Sequence, residues 1–321
     1  MCVNACCAPT PDPTSNSMPD PQRIAVIGST GCGGRAVVNA LRAAGHQVLG
    51  ISRGESNGPA PDFISDRHDT GRLRQKLAEF QPHAVVDQIA YTEDDVTSLI
   101  EALPASTRRY LFVSSAVVYG PGCDRAYRKS DSPEPEGFFA EAKLAAENAA
   151  LKWAGSGRES ISLRLGGLYG PGHAPLTPFG RDPALPQHLN TQESLPIPID
   201  DQSLLQPWFA TDHGALIRDL LSQPNLPALL NVAGDERFNW QTFMTTWSHA
   251  CGVPAPNFAY CSEEEIKARA PATLQPYLDA LLRPPVMDLD RLHHLALGNQ
   301  PATPLIDGGK QVFEWMENID G

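Results

Sequence analysis

Three glycines spaced three apart, Gly28, Gly31 and Gly34, carry the clearest chemical signal in this chain. They stand in Gly28-Ser29-Thr30-Gly31-Cys32-Gly33-Gly34. Backbone without side chains can turn tightly and present bare N–H groups to an anion such as a pyrophosphate. A helix starting there adds the positive end of its dipole. The spacing alone would equally suit a plain tight turn. Its setting favours the phosphate cradle: the apolar run Ile24-Ala25-Val26-Ile27 precedes it and the helical stripe Ala36-Val37-Val38-Asn39-Ala40-Leu41 follows, as at the start of a dinucleotide-binding unit. Thr30, Cys32 and Gly33 are assigned to cofactor binding together with the three glycines.

A second strand, Val48-Leu49-Gly50-Ile51, ends at Ser52 and Arg53. NAD-preferring enzymes place Asp or Glu at such a position to bond the ribose hydroxyls. A carboxylate would repel a 2′-phosphate and a guanidinium would pair with it, so NADP is expected ahead of NAD. Arg35, just inside the first helix, is expected to add a second charge. The alternative is that Arg53 is only a solvated loop cation. Asp66, after Phe63-Ile64-Ser65, is placed either for the adenine edge or for a turn. No metal site is expected, because the seven cysteines contain no CxxC pair. Three of them, Cys2, Cys6 and Cys7, crowd the first residues. Their scatter fits a reducing cytoplasm better than a disulfide framework.

Such residues need a sheet to hold them. Strands are expected at Ala84-Val85-Val86, Tyr110-Leu111-Phe112-Val113 and Ile161-Ser162-Leu163-Arg164-Leu165. Helices are expected over residues 73–80, from a capping box at Thr92-Glu93-Asp94-Asp95 through 103, and over 140–153. Strands alternating with helices require crossovers, hence an α/β fold with a Rossmann doubly wound parallel sheet. Residues 171–204 contain seven prolines and break the pattern. A strand at Leu229-Leu230-Asn231-Val232-Ala233 and a helix over 240–251 follow. The expected organisation is a disordered tail over 1–21 and a nucleotide-binding domain over 22–170 with return segments near 205–235. A smaller, partly interleaved substrate lobe takes 171–204 and 236–321.

The net charge of −12 argues against a nucleic-acid surface, which needs clustered Lys and Arg. No apolar run is long enough for a membrane span, and the first residues lack the pattern of a secretory signal. The partner expected is a small molecule, with no nucleic acid and no membrane, and the chain is expected as monomer or homodimer.

From about Arg23 onward the chain resembles the extended and atypical short-chain dehydrogenase/reductases, the superfamily of nucleotide-sugar epimerases and dehydratases. Phe112-Val113-Ser114-Ser115-Ala116-Val117-Val118-Tyr119-Gly120 is similar to that family's serine strand, which implies Ser115 as the active-site hydroxyl. Leu163-Arg164-Leu165-Gly166-Gly167-Leu168-Tyr169-Gly170-Pro171-Gly172 resembles the strand and loop beside the nicotinamide, which implies Gly167 there. Ala84-Val85-Val86-Asp87-Gln88-Ile89-Ala90-Tyr91 looks more like the atypical members and places Ile89 and Ala90 at the cofactor. Leu297-Gly298, Pro301, Pro304, Gly308-Gly309 and Trp315 resemble the closing segment.

The family's reaction uses a Tyr and, one helical turn later, a Lys that binds the nicotinamide ribose. Here the stretch is Phe139-Ala140-Glu141-Ala142-Lys143: the Lys is present and the Tyr is Phe. Tyr91 and Tyr119 are the nearest replacement hydroxyls by strand position, and Tyr91 is taken as the candidate. Sugar-nucleotide members also carry an Arg where this chain has Leu205, and an apolar residue cannot neutralise phosphate. Trp208 beside it either borders the substrate or belongs to the core. His173 and His213 read as structural. The resulting expectation is an NADP-dependent oxidoreductase reducing C=O or C=N of a small organic substrate with Ser115, Lys143 and Tyr91. A nucleotide-sugar epimerase or dehydratase, and a non-catalytic NADP-binding sensor or scaffold, are the alternatives.

Overall fold

The computed structural model describes residues 21–54, 60–123, 125–199, 203–295 and 302–319. The expected tail and the resemblance at Leu297, Gly298 and Pro301 therefore lie outside the described residues, Pro21 excepted. The first part runs β1 (Arg23–Ile27), α1 (Cys32–Ala43), β2 (Gln47–Ser52), β3 (Phe63–Ile64), α2 (Thr70–Phe80), β4 (Ala84–Asp87), α3 (Glu93–Ala102), β5 (Arg109–Ser115), α4 (Gly137–Lys152), β6 (Glu159–Leu165) and β7 (Gly167–Tyr169). It continues through β8 (Leu176–Thr177), β9 (Gly180–Arg181), α5 (Leu185–Asn190), β10 (Leu195–Pro198), β11 (Pro207–Phe209), α6 (Ala210–Ser222) and β12 (Leu229–Val232). The remainder is α7 (Trp240–Ala250), β13 (Phe258–Cys261), α8 (Glu263–Arg269), α9 (Leu278–Leu282), α10 (Asp290–His294) and α11 (Leu305–Ile319).

Seven strands form one sheet in the order β12-β6-β5-β4-β1-β2-β3, and every pairing in it is parallel. This is the expected α/β architecture. The sequence reading missed β3, whose two residues are too few to show a period. Successive side chains on a strand face opposite ways. Val26 accordingly packs toward α1 and α6, with Val37, Leu41, Leu216 and Leu220. Its neighbours Ala25 and Ile27 pack toward the other layer, with Leu73, Leu77, Val96 and Ala146. Helices α1 and α6 approach closely because Gly214 has no Cβ; one placed there would lie 2.4 Å from the Ala36 carbonyl oxygen.

The capping box expected at α3 is present, with Thr92 and Asp95 bonding each other's backbone N–H groups. A third core of Trp240, Phe243, Trp247 and Phe313 joins α7 to α11 beside Tyr169 and Phe209. Gly308 and Gly309 admit α11 to this cluster, since added Cβ atoms would lie 2.3 Å from the Tyr169 hydroxyl and 2.8 Å from Ala250 Cβ. Among the described residues no helix is long and apolar enough to cross a membrane, and no group of ligating side chains could hold a metal ion.

The buried Glu147 on α4 pairs with Arg164 and Ser162 on β6. Glu147 accepts hydrogen bonds from Arg164 Nε at 3.1 and 3.2 Å and from Ser162 Oγ at 3.1 Å. The Arg164 guanidinium also lies 4.5 Å from the Tyr119 ring centroid. Removing one partner strands a buried charge, which costs about 3–5 kcal/mol. Glu147→Ala should therefore lose about that much stability in urea denaturation, and Ser162→Ala about 1 kcal/mol. A loss under about 1 kcal/mol for Glu147→Ala would show that the pair does not hold α4 to the sheet.

Candidate active site

The glycine turn leaves β1 with Gly28 at φ +82°, where its N–H and that of Ser29 both donate to the Ile51 carbonyl. Its four glycines do different work. A Cβ on Gly28 would lie 2.5 Å from Ile89 Cγ2, and one on Gly34 would lie 2.0 Å from the Gly28 oxygen. Gly33 faces Leu168 and Gln88 at the foot of α1. These three are required by the protein's own packing. Gly31 is different: a Cβ there meets nothing closer than the Gly28 oxygen at 3.8 Å, so its surface is left open for a ligand. Cys32, at the first position of α1, is buried, and burial pushes its thiol up to about 11, so it holds its proton.

The turn opens on a cleft of about 450 Å³ lined by Gly28, Thr30, Gly31, Ser52, Arg53, Asp66, Ile89 and Tyr91 among others. Thr30 Oγ1 and Ser52 Oγ bond at 2.7 Å, which ties the turn to the end of β2. Asp66 accepts the His68 N–H at 2.8 Å and so shapes its own loop while facing the cleft. Arg53 is exposed at the rim and has no ion pair among the described residues. The second charge expected from Arg35 is not there. Its guanidinium donates to the Pro171 carbonyl at 3.2 Å, because the side chain leaves α1 toward the loop after β7 and away from β2.

Beneath the cleft lies a buried ion cluster that the sequence reading did not contain. Arg67 pairs with both Asp87 oxygens at 3.1 Å, with Asp95 Oδ1 at 3.2 Å, and donates to the Asp95 carbonyl. Asp87 further accepts from the Tyr110 hydroxyl and from the N–H groups of Ile89 and Ala90. Burial pushes the Asp95 carboxyl up, but the N–H groups of Tyr91 and Thr92 and the Arg67 guanidinium outweigh it and hold the group below its usual range. The loop carrying Ile89, Ala90 and Tyr91 is thus clamped from below. No local period could announce a bond between a loop residue, the last residue of β4 and the first turn of α3.

Lys143 reaches this loop from α4. Its ammonium donates to the Ala90 carbonyl at 2.6 Å and the Val113 carbonyl at 3.1 Å, lies 4.9 Å from the Tyr91 ring centroid, and is buried. Burial pushes it down to about 8. An ammonium has three donors, so one remains beyond these two carbonyls. Phe139, one turn earlier, lies between two tyrosines: Tyr91 at 5.7 Å and Tyr277 at 4.6 Å between ring centroids. Burial, with Tyr277 and Asp95 nearby, pushes the Tyr91 hydroxyl up, so it keeps its proton. Tyr277 went unnoticed in the sequence because it comes from a proline-broken stretch of the second lobe. Tyr119 is not available, since its hydroxyl donates to Asn231 at 2.7 Å in the core.

Ser115 ends β5 two residues beyond Val113 and accepts the Val117 N–H at 3.4 Å. With Gly167 it lines a second, smaller cavity of about 170 Å³ whose other walls include Val117, Leu168, Leu205, Phe243 and Leu281. Trp208 is not among them; it is buried in the core beside β6. His213 is buried and bonded to Gln88, and burial pushes it down to about 4, so it is structural. His173 is likewise held neutral, pushed down to about 3 by burial and by Arg181 and Arg35.

The open surface at Gly31 yields a direct test. Gly31→Val should fold with unchanged thermal stability yet lose measurable binding of a nicotinamide dinucleotide in calorimetry. Gly34→Val should fail at the fold itself, visible as lost cooperative unfolding. Retained affinity in Gly31→Val would remove the turn as a phosphate cradle.

The family model for the NAD dependent epimerase/dehydratase family matches residues 24–225. Among curated relatives, the chain is 26% identical over 241 residues to the 2'-dehydrokanamycin reductase of Streptomyces kanamyceticus, covering 73% of this chain and 68% of that one. It is 28% identical over 261 residues to a 3-diazoavenalumate denitrifying reductase of a Streptomyces species, covering 73% and 83%. The UDP-glucose 4-epimerase of Thermus thermophilus in complex with NAD superposes with a TM-score of 0.72 at 19% identity, covering 92% of this chain and 99% of that one. At that identity the superposition establishes the fold. The matched span takes in the glycine turn, Ser115 and Lys143, and the chain belongs to the NAD dependent epimerase/dehydratase family.

Proposed function

We propose that the chain is an NADP-dependent reductase acting on a C=O or C=N bond of a small organic molecule. The observation that carries this reading is the cavity at Ser115. It is small, largely apolar and walled by Leu205 where sugar-nucleotide members of the family place an Arg. A nucleotide diphosphate would find Leu205 in place of that Arg and a single cation, Arg181, in the lining, which disfavours the epimerase and dehydratase alternatives. Two relatives whose names are those of reductases, acting on substrates that are not named as nucleotide sugars, support the same direction.

Bound NADPH would supply the hydride. The chain's own residues hold the reactants. Gly31 and the start of α1 would take the pyrophosphate, Arg53 the 2′-phosphate, Asp66 the adenine edge, and Lys143 the nicotinamide ribose through its remaining donor. Ser115 would hold the substrate's oxygen or nitrogen. Tyr91, kept protonated and packed on Phe139, would hold the proton that Phe139 cannot carry. General acid help of this kind is worth about 10²–10⁴ in rate. A sensor that never turns over would have no use for Ser115 in an apolar cavity.

Calorimetry should show tighter binding of NADPH than NADH, with the gap narrowed in Arg53→Ala by about tenfold, the worth of one charged hydrogen bond. Equal affinity for the two would remove the NADP assignment. For the chemistry, carbonyl and imine substrates are screened by loss of NADPH absorbance. Phe139→Tyr should leave the native rate within a few-fold, because the proton no longer comes from that position. Lys143→Ala should lower it about 10²-fold through misplaced cofactor. An inert wild type that gains ketone reduction in Phe139→Tyr would mark a disabled reductase and overturn the proposal.

A further inference from the structure

The cavity at Ser115 has a cation at one end. Among the described residues Arg181, on β9, is the one charged side chain in its lining. Its position is rigid: β8 and β9 form a tight hairpin in which Leu176 pairs with Arg181, and Gly180 turns at φ +96°. The guanidinium is held from behind by two backbone carbonyls, donating to Ala174 at 2.9 Å and Leu168 at 2.8 Å. Carbonyls aim a cation without neutralising it. The adjacent carboxylate, Asp182, is engaged elsewhere, accepting the Ala184 N–H and lying 3.3 Å from His188. Among the described residues Arg181 has no ion pair. Protein atoms crowding the guanidinium push its pKa down, while the residue keeps an exposed face.

Resting on the reductase reading for the role of the cavity, we propose that Arg181 recognises a carboxylate on a small, otherwise apolar substrate seated against Ser115. A guanidinium has five N–H donors in a planar fork, so two spent on carbonyls leave enough for a carboxylate. Apart from Ser115, Tyr169 and Gln206 the other lining side chains are apolar, so the cavity offers a cationic partner to one anionic group and none to a second. The ligand class is therefore an arenecarboxylic or short unsaturated acid rather than a diphosphate or a polyhydroxylated sugar. Recognition at one end then fixes which bond faces Ser115.

The test uses the full chain saturated with NADP⁺ and calorimetric titration with benzoate and cinnamate against benzamide and cinnamamide, neutral probes of the same shape. The carboxylates should bind at least about tenfold tighter, as expected for a charge-assisted hydrogen bond. Arg181→Met should abolish that preference, and Arg181→Lys should retain part of it. NADPH affinity, measured on each variant, serves as the check that the fold and cradle survive. Three results overturn the proposal: no carboxylate binding at millimolar concentrations, equal binding of acid and amide, or a preference that persists in Arg181→Met. A loss of NADPH affinity of about tenfold in Arg181→Met and Arg181→Lys alike would also overturn it, by placing the cation on the cofactor's pyrophosphate. If NADPH fails to bind the wild type, the reductase reading falls separately, and the titrations on the cofactor-free chain still decide the role of Arg181.

Discussion

The pairing of one buried guanidinium, Arg67, with two carboxylates, Asp87 and Asp95, holds the site in shape. Asp87 ends β4 at a point where the chain must leave the sheet, and its two oxygens collect Arg67, Tyr110 and two backbone N–H groups. Asp95 fixes the start of α3 from the other side. The loop between them has its Ile89, Ala90 and Tyr91 N–H groups held by the two carboxylates, while Ala90 presents its carbonyl to Lys143 and Tyr91 its ring to Phe139. A buried charge cluster is expensive to desolvate, and it persists where each member is fully hydrogen-bonded. Here that expense sets the geometry of a loop that forms one wall of the cleft at the glycine turn.

From that loop the site divides by chemistry. On one side is a polar cleft with a glycine turn and a rim cation; on the other is a small apolar cavity at Ser115. Lys143 stands at the junction, bonded to carbonyls that follow β4 and lie in β5, the two strands whose ends separate the halves. The missing family tyrosine alters this junction least in shape and most in protonation. Phe139 keeps the ring and its packing, while hydroxyls remain on the rings either side of it, Tyr91 and Tyr277.

The second lobe is bound into the first rather than appended. After β6 the chain leaves the seven-stranded sheet, pairs β7 with the returning β11, lays α6 on α1, and adds β12 to the sheet edge. Asp212 at the start of α6 accepts both the backbone and the hydroxyl of Thr303, just before α11. Arg181, which lines the cavity at Ser115, and Tyr277, packed on Phe139, are carried by segments of this returning chain.

The α/β class, the glycine turn, the order of the long strands and the capping of α3 were legible in the residues alone. Each of these is a local matter: apolar periodicity, a residue type at a turn, or a cap whose partners lie three residues apart. Ser115 and Lys143 were legible by resemblance, and Phe139 stood out as a departure from it. The rest waited on tertiary packing. Arg67, Asp87 and Asp95 meet from a loop, the end of β4 and the first turn of α3, Arg35 turns to Pro171 rather than toward β2, and Trp208 enters the core while Leu205 lines the cavity. Arg181 and Tyr277 reach the site from stretches broken by proline, where no period exists to read. A side chain's direction and its distant partners follow from how the elements pack, and adjacency along the chain carries no information about either.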